Sequence, residues 1–128
     1  MVSSSVAEGL SGLVGLGIVF VGMWFLLSPR AAAAGYGIAL PEETGPARAY
    51  LAVKGVRDVT SGLFVFAMLG IRAVHPLGWL MLVACLIPSG DAVIVVAFHG
   101  PRARAYGVHG VTAAVMLVTA VLLLVSSA

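Results

Sequence analysis

Residues 47–62 read ARAYLAVKGVRDVTSG, and residues 63–71 continue as LFVFAMLGI. The second half is plain membrane sequence. The first half places Lys54, Arg57 and Asp58 where a lipid-facing helix carries apolar residues. Thr44 is a suitable N-cap and Pro46 is tolerated in a first helical turn, so 46–71 reads as one helix long enough to cross a bilayer. Its surroundings decide whether it does.

Of the 128 residues, 61% are hydrophobic and only 9% are charged, with a mean hydropathy of +1.12. Soluble domains carry roughly a quarter charged residues, so a water-soluble fold is excluded. Disorder is excluded because it requires low hydrophobicity and high charge. Seven Lys and Arg against five Asp and Glu leave a net charge of +2, too little for a nucleic-acid groove. Cys85 is the single cysteine, which excludes an intrachain disulfide or a cysteine cluster.

Three further apolar runs flank the quoted one: 9–27, 76–98 and 102–125. The first lacks the positively charged lead of a secretory signal and reads as a membrane helix ended by Ser28-Pro29. The third ends at His99-Gly100-Pro101, taken as a C-cap glycine followed by proline. The expectation is an all-α, integral membrane four-helix up-and-down bundle, one domain over 1–128, with helices two, three and four as antiparallel neighbours. The connection 28–45 is the one long link, holding Tyr36 between two glycines and the acidic pair Glu42-Glu43. Glycines 9, 12, 15, 17 and 22 on helix one, and Gly107, Gly110, Ala113 and Ala114 on helix four, mark close-packing faces within the chain or between copies in a homo-oligomer. Arg30, Arg48, Arg102 and Arg104 lie at one end and Arg72 and Glu8 at the other, which puts both termini outside the plasma membrane. His75, His99, Trp24 and Trp79 read as interfacial or packing residues.

At 100° per residue, Tyr50, Lys54, Arg57, Asp58 and Ser61 share one face of helix two. Arg57 lies about 16 Å along it, too deep to snorkel, and intramembrane charges cost roughly 2.5 to 3.5 kcal/mol each. Asp91 and His109 reach comparable depth from helices three and four, and Pro88 should kink helix three or open a carbonyl near Ala84. Lys54, Arg57, Asp58, Asp91 and His109 therefore form a candidate catalytic set. Tyr50, Ser61, Tyr106 and Tyr36 are the candidate substrate contacts at its mouth, which opens to the cytoplasmic side. The alternative is a network that only sets helix register, built on Arg57–Asp91 and Lys54–Asp58 pairs.

The patterns KGVRD (residues 54–58), IPSGD (residues 87–91) and HGVTA (residues 109–113) resemble a family of small four-helix membrane proteins of bacteria and fungi, catalogued as domain of unknown function 4267. The resemblance covers nearly the whole chain. It implies a stand-alone four-helix protein and marks Lys54, Arg57, Asp58, Asp91, His109 and Gly110, but it brings no reaction.

No catalytic-serine elbow is present, and Lys54 and Arg57 oppose a cation, so no metal or other cofactor is expected. Two carboxylates beside basic groups in low dielectric suit acid–base chemistry, since their protonation is pushed apart. The Asp, Arg, Asp set resembles that of soluble epoxide hydrolases of the limonene type in constellation alone. One reading is a membrane-embedded hydrolase or isomerase acting on a lipophilic small molecule by epoxide opening, cyclisation or isomerisation. The other is a non-enzymatic binder or transporter subunit for an anionic or proton-coupled ligand. The bilayer is the partner in both.

Overall fold

The structure, a computed structural model, describes residues 2–40 and 45–128, with side chains from Ser4 onward. Thr44 and the Glu42-Glu43 pair lie outside the described residues. Helix α1 runs Val2–Leu27, α2 Pro29–Tyr36, α3 Gly45–Gly70, α4 Val74–Ala84, α5 Leu86–Ala97 and α6 Arg102–Arg104; a π-helical turn, Ala105–Gly110, leads into α7, Val111–Ser126. No strand occurs among the described residues. Three stretches are long and apolar enough to cross a membrane: Ser4–Leu27, Val74–Ala97 and Arg102–Ser126. Helix α3 matches α1 in length, at 26 residues each, but its charged centre keeps it out of that set. Composition alone thus supports three spans where the sequence reading expected four.

Two expected helices are interrupted. The third divides at Cys85 into α4 and α5. Pro88 has no N–H for the Ala84 carbonyl, and the chain unwinds one residue later, where Cys85 Sγ donates to the Leu82 carbonyl at 2.9 Å. The fourth begins as α6 and passes through the π turn before becoming regular. The connection after α1 also holds a helix, α2, where a long link was expected. Ser28-Pro29 ends α1 and starts α2, because Pro at a first position lacks only an N–H that has no helical partner. Four alanines, Ala31 to Ala34, then supply high helix propensity.

Helix α1 is the central rod. Helix α3 packs along one side of it and α7 along another, while α4 packs on α7. The α1–α3 contact is set by glycine. A Cβ on Gly22 would lie 2.6 Å from the Gly55 carbonyl oxygen, and one on Gly62 would lie 2.6 Å from the Gly15 carbonyl oxygen. The glycines on each helix are two turns apart, so the backbones touch twice along an antiparallel crossing. Among apolar helices in lipid such close approach, and not hydrophobic drive, favours association. In the π turn before α7 the glycines of the expected small-residue face make no close approach within the chain: a Cβ on Gly107 meets open space, and one on Gly110 meets only Ala105 of its own turn, at 3.5 Å.

Helices α3 and α4 touch little despite their short link, so α3 pairs with α1 and not with its chain neighbour as expected. Ala7, Val65, Leu77, Met81, Met116, Ala120 and Leu123 form the core at one end. Phe25, Ala32 and Ala33 form a smaller one at the other, packed by Tyr36 and Leu51. Exposed Leu13, Leu16, Phe20, Leu63, Leu86 and Val93 present an apolar outer surface.

Three helix ends close with the same paired bonds. After α2, Ile38 N donates to Ala33 O and Gly37 N to Ala34 O; after α3, Ala73 N to Met68 O and Arg72 N to Leu69 O; after α5, Gly100 N to Val95 O and His99 N to Val96 O. The left-handed residues are Gly37 (φ 114°), Arg72 (φ 56°) and His99 (φ 60°). The cap after α5 is therefore His99, not Gly100. Gly100 is small for another reason: a Cβ there would strike the Gly37 carbonyl and Val95.

Candidate functional site

The polar residues meet where α2 crosses the end of the helices. Its path is fixed by contacts that only small residues permit: a Cβ on Gly35 would lie 2.6 Å from the tip of the Trp24 indole, and one on Gly37 would lie 3.0 Å from Val95 and 3.2 Å from Arg104. Helix α2 thus leaves α1 and ends against α5 and α6. This sets Tyr36 edge-on to Phe25, with ring centres 6.1 Å apart, and against His109, with ring centres 4.4 Å apart.

His109 is buried, at 7% exposure, and lies in the π turn. Such turns insert an extra residue into a helical repeat and occur often at functional sites. Its Nε2 lies 2.8 Å from the Tyr36 carbonyl oxygen. A carbonyl only accepts, so Nε2 carries hydrogen. The other nitrogen, Nδ1, faces Asp91 Oδ2 at 3.9 Å. With Nε2 already protonated, a neutral imidazole would aim its Nδ1 lone pair at the carboxylate. One further proton, on Nδ1 or on Asp91, turns that repulsion into attraction. The Tyr36 hydroxyl lies near the same carboxylate. Burial first, then the neighbouring Asp91 carboxylate and the charge of Asp58, hold the Tyr36 phenol well above the ordinary tyrosine range.

Beside this trio, Lys54 Nζ pairs with Asp58 Oδ2 at 2.6 Å and lies 4.7 Å from the Phe25 ring centre and 5.1 Å from that of Tyr36. The two ring faces attract the ammonium and offset part of its lost hydration. A Lys before Asp at this spacing is the weaker helical orientation, and the rings help to hold it.

Lys54, Asp58, Asp91, His109 and Tyr36 are thus brought together. Arg57 is not: it lies on the exposed side of α3 and makes no ion pair among the described residues, so the expected Arg57–Asp91 pair is replaced by Tyr36 and His109 at Asp91. Tyr50 and Tyr106 point outward, at 77% and 61% exposure. The Ser61 hydroxyl donates to its own helix, to the Arg57 carbonyl at 2.8 Å. Phe25 was not anticipated, and Tyr36 stands in the cluster instead of at its mouth. The proline, alanines and glycine of α2 were the available signal for both.

Among the described residues no buried side-chain nitrogen or oxygen lacks a hydrogen-bond partner, and no three His, Cys, Asp or Glu residues converge as a metal site would require. Two surface grooves lie elsewhere. One of about 530 Å³ runs between Leu27, Pro29, Arg30, Ala34 and Arg48, and one of about 240 Å³ between Leu10, Ala114, Val115 and Val118. Within the cluster, Lys54, Asp58 and Asp91 keep 31%, 19% and 22% of their side-chain surface exposed.

No curated protein and no solved structure matches this chain. A family model described as Domain of unknown function (DUF4267) matches residues 15–123, which takes in every residue of the cluster. The chain belongs to the DUF4267 family.

Proposed function

We propose that this is a multi-pass plasma-membrane protein, with α3 as a fourth crossing beside the three apolar spans and both termini outside, in which the Tyr36–Asp91–His109 cluster performs acid–base chemistry on a lipophilic small molecule. The observation that carries the reading is His109 between two oxygens. The Tyr36 carbonyl fixes hydrogen on Nε2, so the proton between Nδ1 and Asp91 is the one available for exchange. Asp91, beside the Tyr36 hydroxyl, takes a proton from water or substrate, and the His109 imidazolium returns one to a developing oxyanion. Epoxide opening, cyclisation and isomerisation all need this pairing. The Lys54–Asp58 pair sets the local charge, and exposed Arg57, one turn along α3 from Lys54, is placed to meet the polar end of a substrate entering from the bilayer on the cytoplasmic side.

A second reading is favoured by the closure of the cluster upon itself beneath α2: a binder or transporter subunit in which the same proton is coupled to ligand uptake. One experiment separates them. The purified protein in nanodiscs is incubated with lipophilic epoxides and isomerisable enones and products are followed by mass spectrometry. Acid–base catalysis predicts turnover in the native chain and a loss of at least 100-fold in Asp91→Asn and His109→Gln. Turnover that survives Asp91→Asn refutes it; saturable binding with proton uptake and no product supports the second reading.

A further inference from the structure

The groove between Leu27, Pro29, Arg30, Ala34 and Arg48 lies on the other side of α2 from the acid–base cluster. It opens where α1 ends and α2 begins, so it sits at the end of the Ser4–Leu27 span, at the boundary between hydrocarbon and headgroups. Apart from Ser28 its uncharged lining is apolar. Its two charged residues, Arg30 and Arg48, are both basic and exposed, and no carboxylate of the described residues lines it. Arg30 makes no ion pair among the described residues. Below the groove the exposed face of α1 continues as Leu27, Met23 and Phe20, at 75%, 41% and 68% exposure. They stand three to four residues apart, one above another on the helix. A basic rim above an apolar stripe has the polarity of an anionic lipid: phosphate at the Arg30 guanidinium and an acyl chain along α1.

We propose that this groove binds the headgroup of an anionic phospholipid. The stripe selects a lipid over free phosphate, because it gives an acyl chain a path and gives an inorganic ion nothing. Arginine suits the site because its planar donors bind phosphate oxygens in pairs. The proposal rests on the membrane reading and is independent of the acid–base one.

The test is native mass spectrometry of the full chain in detergent, titrated with phosphatidylglycerol or phosphatidylcholine. The native protein is expected to retain phosphatidylglycerol preferentially. Arg30→Gln should weaken that retention about fivefold, the equivalent of roughly 1 kcal/mol per basic residue at an anionic surface. Ala34→Trp, which fills the groove without altering charge, should weaken it comparably, whereas Arg102→Gln, at the same end but outside the groove, should leave it unchanged. Equal retention of the two lipids, an Arg30→Gln variant that binds normally, or an equal loss in Arg102→Gln would each overturn the assignment. So would displacement of the lipid by excess inorganic phosphate, which would assign the site to the free ion.

Discussion

His109 and Tyr36 are joined twice, by a 2.8 Å hydrogen bond from imidazole Nε2 to the main-chain carbonyl and by ring contact at 4.4 Å. The carbonyl belongs to the last residue of α2, so the bond ties the short helix to the π turn before α7. Removing the imidazole leaves a carbonyl that Gly37 has turned inward without its donor. His109→Phe is expected to lower stability by about 1–3 kcal/mol, the cost of an unsatisfied buried polar group. Hydrogen exchange over residues 29–38 should accelerate more than exchange over α4. Unchanged protection of α2 would show that His109 does not anchor it.

The Tyr36 phenol is held above the ordinary tyrosine range, which fixes a sign for alkaline stability. The unfolded chain loses this proton near roughly pH 10, whereas the folded chain keeps it to higher pH. Between those values the folded form binds the extra proton, so stability present below about pH 10 falls as pH rises through that window. The difference in tyrosinate absorbance between native protein and Tyr36→Phe should be near zero at about pH 10 and grow as the chain unfolds. Ionisation of one additional phenol at about pH 10 in the folded native protein would contradict the burial of Tyr36.

The glycine contacts between α1 and α3 make a paired prediction. Gly22→Ala places a Cβ 2.6 Å from the Gly55 carbonyl, and backbone must move to admit it. The expected loss is about 1–3 kcal/mol, visible as a lower unfolding temperature in detergent. Gly17→Ala enters open space on the same helix and should raise stability by up to roughly 1 kcal/mol through helix propensity. Equal effects of the two would deny the crossing.

Arg72 and His99 hold left-handed conformations at φ 56° and 60°, which cost a non-glycine residue roughly 1–2 kcal/mol. Arg72→Gly keeps the paired backbone bonds and relieves that strain. A gain of about 0.5–1 kcal/mol is expected by thermal unfolding, after the entropy lost on ordering glycine. Destabilisation would mean that the Arg72 side chain contributes more than its backbone costs.

The contrast between Lys54 and Arg57 explains how much of the site could be read in advance. Helical periodicity puts both on the same broad face of α3, and both are equally out of place in lipid. In the structure Lys54 turns to Asp58 between the rings of Phe25 and Tyr36, while Arg57, 60° around the helix, stays exposed. Periodicity resolves a face to about a quarter of the circumference, and the line between inside and outside falls within that arc. The Lys54–Asp58 pair was legible because both partners lie on one helix. The Asp91–Tyr36–His109 contacts join three elements remote in sequence, and no spacing rule reaches across them.

From residue order alone came the helical class, the suitability for a bilayer and the break ahead of Pro88. These follow from side-chain hydrophobicity and from the missing proline N–H, which act locally wherever the residues stand. Tertiary structure alone decided that α3 leans on α1 through two glycine pairs, that α2 folds across the end of the helices, and that Tyr36 replaces Arg57 as the partner of Asp91. These depend on which surfaces can approach closely enough to touch. That approach is set by the absence of a Cβ at Gly22, Gly35, Gly55 and Gly100, on segments brought together only when the chain has folded.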